Sequence, residues 1–588
     1  MAQVYAAAKL EVELSADVWS DLGQGGSQDV IGPVHARYGI SGNGPADVVA
    51  ASGEMTFTLK NGTNSSGGVR GYYSPVSTNK RTGWTYGVAC RLVLTDPSDS
   101  SQSITGITRS GSTATATKVA HGYSTDDWLT ISGATQTEYN GTFKITVTGA
   151  DTFTYTVAGT PATPATGTIT AIRVYVKFRG KVREIKPSGG IKREQNCDVV
   201  AYDHMRDLME ADVRELAIAV GDTEDTLLGA VLDALPADAR PPFRDLDAGV
   251  DTYAYAFDNV QGGEKAGGLI KDIAMSAVGL VGCKGDGTFI YRSRHTRATG
   301  SSAATFADNM QDIDAPSSLE KAYNRVRVTI HPKTIDAAAT TVLFALTGTP
   351  PGIAPGTSLA NWGDYRDPNN TLKLVGGTAM VTTLVSGTDY SGNSAVDGSG
   401  SDLTASLSIT ANAFASTCKF TVTNNHATLT AYLVTAAGAT KLQIRGKGIY
   451  DNGPQTYESY TAMDYGDRPF SFDMPYQDDA DIGQSAATYL ESLYNDITDQ
   501  LEEIGFVACD TAALMTQALA REINDQITVS ETQTGVSSLR VAIQRVELEL
   551  IGRRMYCRWG LAPVSSFSTW LIGTAGNSEL GSTTVLGF

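Results

Sequence analysis

The stretch IRVYVKFRGKVREI (172–185), followed by CDVVAYDHMRDLMEADV (197–213), decides the fold class. The first part alternates apolar and polar residues with period two, the pattern of a strand with one buried face. The second part changes period. Behind Asp203, whose carboxylate can accept from free backbone N–H groups as an N-cap, Met205, Leu208, Met209 and Val213 fall on one face of a helix. A strand that hands over to a helix so quickly predicts a β-rich α+β chain.

Upstream, KLEVEL (9–14), EMTFTL (54–59) and YGVACRLVL (86–94) alternate in the same way, with Asn61-Gly62 and the 65–68 cluster as turns. After 100 the charge falls and Thr, Gly and Ala dominate. Short strands are readable at 114–119, 128–132, 142–147 and 153–157, and Asn140-Gly141 reads as a hairpin turn. Residues 101–171 are expected to form a small all-β module set into a loop tip, where insertions are best tolerated. The flanking runs 86–94 and 172–178 then pair as one interrupted hairpin.

Downstream, Asp222 is expected to cap a helix carrying Leu227, Leu228, Val231, Leu232 and Leu235, which Pro236 stops. Ala266, Leu269, Ile270, Ile273, Ala274 and Ala277 mark a third helix, and 281–291 a hairpin through Gly285-Asp286-Gly287. Strands return over 322–460, with a loop-rich stretch at 348–401. Two helices follow, with faces at Ile482–Tyr494 and Leu514–Leu519. Residues 527–529 and 538–560 are strands, and 561–588 carries no helix signal.

The chain has 588 residues, which at a core limit of ~250–300 residues implies roughly three to five domains. Its net charge of -18 argues against a held nucleic acid, which normally calls for a basic footprint. Cys90, Cys197, Cys283, Cys418, Cys509 and Cys557 are scattered and read as small buried hydrophobes, not as CxxC redox or zinc pairs. The N-terminus lacks the basic and apolar regions of a signal peptide, and no run of ~20 apolar residues predicts a membrane span.

Catalytic chemistry finds no foothold. His35, His121, His204, His295, His331 and His426 lie too far apart in sequence for a zinc motif and read as surface or turn residues. The GxSxG elbow and the phosphate-binding GxxxxGK[ST] loop are missing. Gly23, Gly25 and Gly26 imitate a dinucleotide fingerprint, but Gln28 takes the third glycine position and no helix pattern follows. Asp478, Asp479 and Asp481 fail the calcium-loop spacing and read as residues capping the next helix. No catalytic, cofactor or metal residue is expected, and partner-binding residues cannot be named from sequence.

Three segments resemble baseplate hub proteins of long-tailed bacteriophages. In YVKFRGKVREIKPSGG (175–190) and the stretch after it, the matching positions are Phe178, Gly180, Val182, Tyr202 and Asp203. AYLVTAAGATKLQIRGKGIY (431–450), leading to DYGDRPFSFDMPY (464–476), is similar to their barrel strand and its turn. NDQITVSETQTGVSSLRVAIQRVELEL (524–550) is similar to their final strands, and 570–588 resembles the ends of phage tail proteins. The 101–171 insertion and the 348–401 segment depart from the simplest hubs.

The resemblance implies two barrel-like β domains interleaved with two α/β domains. The first barrel-like domain takes 1–100 and 172–200, the inserted module 101–171, and an α/β domain 201–320. The second barrel-like domain takes 321–464 and 531–560, a second α/β domain 465–530, and an extension 561–588. Function is then expected to be non-enzymatic. Three copies form a ring at the distal end of the tail, assembled in the host cytoplasm. The ring binds a distal tail protein above and tip or fibre proteins below, and it surrounds the tape-measure protein and later the passing DNA. The competing expectations are a receptor-binding adhesin, which repeated β modules at one end would favour, and a cell-wall or polysaccharide hydrolase, which a convergent catalytic set would favour.

Overall fold

The structure is a computed structural model that describes residues 3–23, 28–190, 194–213, 215–260, 264–495, 500–564, 568–570 and 584–586. It is β-rich, with 45% strand and 13% helix. The largest sheet has 16 strands. A first β unit supplies β1 (Ala7–Ser15), β2 (Val18–Asp21), β3 (Val30–Gly39), β4 (Ala51–Lys60), β5 (Ala89–Thr95), β6 (Gly167–Pro187) and β7 (Asn196–Asp203). A second supplies β8 (Ser302–Ala307), β9 (Asp312–Asp314), β10 (Glu503–Val507), β11 (Gln526–Glu531), β12 (Val536–Ile551) and β13 (Arg554–Pro563). The spatial order is β2–β1–β5–β6–β7–β4–β3–β12–β13–β10–β9, with β11 beside β12 and β8 beside β11. Gln102–Ser103, Trp128–Ala134 and Gly141–Lys144 complete it.

The two units meet at the antiparallel pair β3:β12, where Val34, Ala36 and Tyr38 face Leu550, Leu548 and Val546. Alternation puts these residues on one side, so a single apolar core runs under both units and includes Phe57, Leu92, Phe178, Ile504 and Trp559. The seam ends at Gly39, whose φ of 105° lies in the left-handed region; a Cβ there would stand 2.2 Å from the Gln544 carbonyl oxygen. Among the described residues no sheet closes into a barrel.

The expected interrupted hairpin is present: in the β5:β6 pair, Leu92, Val93 and Leu94 lie opposite Phe178, Val176 and Tyr175. The intervening residues have a core of their own around Ile107, Leu129, Tyr139 and Phe153. They are nonetheless docked, because β6 runs unbroken from the insertion into the parent sheet, and Trp128 packs with Val93, Val174 and Val176. Asn140-Gly141 is not the tight turn that the sequence suggested. The loop from 135 includes a 3-10 turn, Thr137–Tyr139. Asn140 closes it with its side chain, which accepts from Ala134 N at 2.9 Å and donates to Ala134 O at 2.7 Å. An amide that pins a longer loop has the same local sequence as one in a two-residue turn.

Helices α1 (His204–Glu210), α2 (Glu224–Ala234) and α3 (Ala266–Ala277) pack on the shared core. Asp203 caps α1 by accepting from Met205 N at 3.1 Å. Thr223, not Asp222, occupies the N-cap position of α2, and both residues form a short strand paired with Thr252 and Tyr253. A short α4 (Arg294–Thr299) follows the hairpin strands Leu280–Cys283 and Thr288–Arg292. Further on come α5 (Ala480–Tyr494) and α6 (Ala512–Ala520).

The strands between 325 and 474 do not hydrogen-bond to the large sheet. Arg325–Ile330 sits between Gln455–Tyr460 and Pro469–Met474 under α5, with a separate core of Val326, Val328, Phe472 and Leu490. Residues 333–451 form further sheets around Leu343, Tyr365, Phe420 and Ile444. The loop-rich 348–401 stretch contributes an edge strand, Ser358–Asp364, to one of them. The partners of 538–560 are instead β3, β10 and β11. Alternation shows which side of a strand is buried, not which strand lies beside it. Gly25, Gly26 and most of 565–588 lie outside the described residues.

Deleting 101–171 and bridging with a short Gly/Ser linker keeps the β5:β6 pair but uncovers Val93 and Val176. The deletion protein is expected to stay soluble and to lose about 3 kcal/mol of stability, read by chemical denaturation. An insoluble chain would show that the insertion is integral to the parent sheet.

Candidate functional site

The polar groups of this chain converge at the junctions between its units and on the open face of its large sheet. Lys177 stands in an apolar run of β6 where both sides of the strand are covered, and its side chain is only 1% exposed. Its ammonium donates to Glu522 Oε1 at 2.6 Å and to the carbonyls of Leu519 and Arg521 at 3.3 and 2.7 Å. Those carbonyls lie at the C-terminal end of α6, where the helix dipole favours a cation. Glu522 in turn accepts from the Tyr38 hydroxyl at 2.9 Å and from Gly285 N at 3.2 Å. A Cβ at Gly285 would lie 2.8 Å from the Lys177 carbonyl, so only glycine lets this turn approach. Burial, and then the carboxylate of Glu522, push the Tyr38 hydroxyl well above its usual range, so it remains a donor. One carboxylate thus joins β6, β3, the 284–287 turn and the end of α6.

A second node holds the insertion. Asp286 accepts from Trp128 Nε1 at 3.0 Å, Lys144 Nζ at 3.1 Å and Thr288 N at 2.9 Å. Burial raises its carboxyl, but Lys144, Trp128 and Thr288 outweigh burial and hold it below the usual carboxylate range. A cleft of about 350 Å³ lies beside the two nodes, lined by Asp126, Lys144, Arg173, Lys177, Asp286 and Glu522 among others. Its most buried charges are already engaged with one another, which suits cohesion.

The open face of the large sheet crosses the seam without a break. Residues directly opposite one another form a rung from Tyr202 through Glu54, Arg37, Glu547 and Arg558 to Gly505 and Asp312. Signs alternate along it. Arg37 lies 4.0 Å from Glu54, Glu547 accepts from His35 at 2.8 Å, and Glu503 pairs with both Arg545 and Arg558. On this face Glu54, Asp198, Asp312, Glu503, Glu547 and Glu549 are interspersed with Arg37, Lys60, Lys181, Lys186, Arg545, Arg554 and Arg558.

The residues singled out by sequence separate. All six cysteines are buried and unpaired. His35 is a strand residue of the seam, not a turn residue, and His331 bonds Asp473 at 2.7 Å. His121 and His426 do serve turns, accepting from Tyr123 N and Leu429 N respectively. Asp479 caps α5, accepting from Asp481 N and Ile482 N. Among the described residues no cluster of three or more His, Cys, Asp or Glu side chains is arranged to hold a metal. Burial raises Asp203 to about 7, against opposing hydrogen bonds from backbone N–H groups, and its role is the α1 cap. Sequence reading passed over Lys177 and Glu522 and placed Asp286 only in a turn. The one signal was a lysine within the apolar run YVKF.

Two outcomes follow from this geometry. Glu522→Gln leaves the Lys177 ammonium buried without its counter-ion and should cost about 3 kcal/mol, while adding Lys177→Met should recover part of that loss; a double variant whose loss in denaturant titrations equals the sum of the two single losses would show the pair is uncoupled. The second concerns pH. The Glu547 hydrogen bond raises His35 against burial, and the His35 bond lowers Glu547. The His35 contribution is full below its unfolded value of about 6.5 and fades as pH rises through the higher folded value. The Glu547 contribution is full above its unfolded value of about 4.3 and fades as pH falls through the lower folded value. His35→Gln should therefore destabilise more at pH 6 than at pH 8.5, and a pH-independent loss would contradict the pairing.

No family model matches the chain, and no curated protein matches it in sequence. Solved structures that align with most of it include tail proteins and a component of a type VI secretion system. The 43 kDa tail protein of prophage MuSo2 from Shewanella oneidensis is 8% identical with a TM-score of 0.42, over 94% of this chain and 98% of that one. A tail protein from Neisseria meningitidis MC58 is 8% identical with a TM-score of 0.42, over 95% and 96%. The prophage tail protein gp18 from Listeria monocytogenes EGD-e is 7% identical with a TM-score of 0.37, over 94% of each chain.

Proposed function

We propose that this chain is a structural hub protein of a phage tail tip, and that three copies form a ring whose six β units surround the tail channel. The observation that carries the reading is the unbroken sheet across the β3:β12 seam, buried on one face and polar on the other. A wall of a channel needs that asymmetry: an apolar side to fold on and a hydrated side toward the passage. Two β units joined edge to edge in one chain let a threefold assembly offer six similar wall segments. The residue resemblance at Phe178, Gly180, Val182, Tyr202 and Asp203 points the same way. The partners of this reading are a distal tail protein, the tape-measure protein and tip or fibre proteins.

The charge of the polar face suits passage of a polyanion. Lys and Arg toward the lumen would bind phosphates and release counter-ions. Carboxylates set among the cations of this face, Glu54 beside Arg37 and Glu503 beside Arg545 and Arg558, leave no uncompensated basic belt to hold DNA, and their field reaches only about 8–10 Å at moderate salt. Neighbouring arginines keep the face folded by pairing with those carboxylates.

Light scattering on purified tail tips is expected to show three copies per particle, and the isolated ring is expected not to retain DNA at low ionic strength. Six copies, or a monomer at every concentration, would sink the ring. Salt-sensitive DNA binding would sink the assignment of the polar face to the lumen.

A further inference from the structure

The 61–88 connection between β4 and β5 differs in charge from the rest of this acidic chain. No Asp or Glu occurs from Met55 to Thr95, while Arg70, Lys80 and Arg81 lie within the connection. Arg70 and Lys80 are exposed and have no carboxylate partner among the described residues. Between them Val76 is 96% exposed.

This connection is held in shape by its own buried bonds. Asp29 is 0% exposed and accepts from Ser66 N at 2.7 Å, Ser66 Oγ at 2.5 Å and Tyr73 Oη at 2.6 Å. Asn61 Oδ1 accepts from Tyr73 N at 2.8 Å, and Trp84 Nε1 donates to Tyr73 O at 2.9 Å. Tyr73 and Trp84 are fully buried beneath it. A loop fixed this firmly presents Val76 and its two flanking cations at low entropic cost to whatever binds them.

A surface of the opposite character lies on the second β unit. Where β9 ends the sheet, the polar face sinks into a cleft of about 440 Å³ whose lining includes Gln311, Asp312, Glu547, Glu549, Tyr556 and Arg558. Glu547 is engaged by His35 and Arg558 by Glu503. Asp312 and Glu549 have no ion-pair partner among the described residues.

We propose that the 61–88 loop of one copy docks into this cleft of the next copy, with Arg70 and Lys80 facing Asp312 and Glu549 around Val76. The inference rests on the ring reading above and deepens it. The two surfaces belong to different units and differ from each other, so the contact is head-to-tail, the kind that closes rings. Charge complementarity of this kind selects the partner and its register and weakens as salt rises.

The test uses the full chain. Arg70→Glu with Lys80→Glu, and separately Asp312→Lys with Glu549→Lys, are each expected to weaken association roughly tenfold or more, and an equimolar mixture of the two proteins is expected to form mixed contacts that neither forms alone. In parallel, Val76→Cys protein mixed with Gln311→Cys protein should give a disulfide-linked heterodimer on mild oxidation, since all six native cysteines are buried. A wild-type trimer that ignores both charge reversals and gives no cross-link overturns this contact and leaves the ring standing. A wild-type chain that stays monomeric overturns both.

Discussion

The Lys177–Glu522 pair is the constraint on which the arrangement of this protein depends. A buried ammonium is tolerable only with a carboxylate and carbonyls around it. Those partners come from parts of the chain more than three hundred residues away in sequence. Glu522 also binds Tyr38 and the Gly285 amide, so the first β unit, the hairpin of the α/β region and the second β unit have one relative position in which all four groups are satisfied. The β3:β12 pairing then extends that position into a continuous sheet. Hydrophobic burial supplies the cohesion of the core, but it is non-directional; the charged node supplies the register.

Function on this account follows from the face that burial leaves over. A sheet covered on one side must place every second side chain toward water. Along the seam those residues are alternating carboxylates and guanidinium groups, which pair laterally instead of gathering into a basic patch. On the proposed reading the same device serves two ends: it stabilises an exposed sheet, and it leaves no basic patch for a polyanion to adhere to. The inserted 101–171 module and the 333–451 region have cores of their own and lie outside this sheet's central path, so each can vary without altering the wall.

Much of the local structure was legible in the sequence. Period-two runs located β1, β4, β5, β6 and β12, the change of period at Asp203 located α1, and the matching flanks of 101–171 revealed an interrupted hairpin. Strand partners were less legible. Residues 321–464 were expected in the same unit as 531–560, yet their ladders close among themselves, because alternation is identical for any partner that offers an apolar face. The polar node was hidden for another reason. Lys177 and Glu522 each look like ordinary charged residues in their own windows, and only the fold makes them neighbours. Asn140-Gly141 shows the converse: a strong local turn signal was used for a side-chain clamp on a longer loop.

The central claim is that the polar face of the large sheet lines the channel of an assembled ring. Electron cryomicroscopy of tail tips containing this chain tests it most directly, at a resolution that places strands and large side chains. The account predicts that the Glu54 and Arg37 side of the rung points toward the threefold axis in all three copies, with its Asp312 end at the contact with the next copy. A map in which that rung faces outward, or in which a continuous belt of Lys and Arg surrounds the channel, would contradict it.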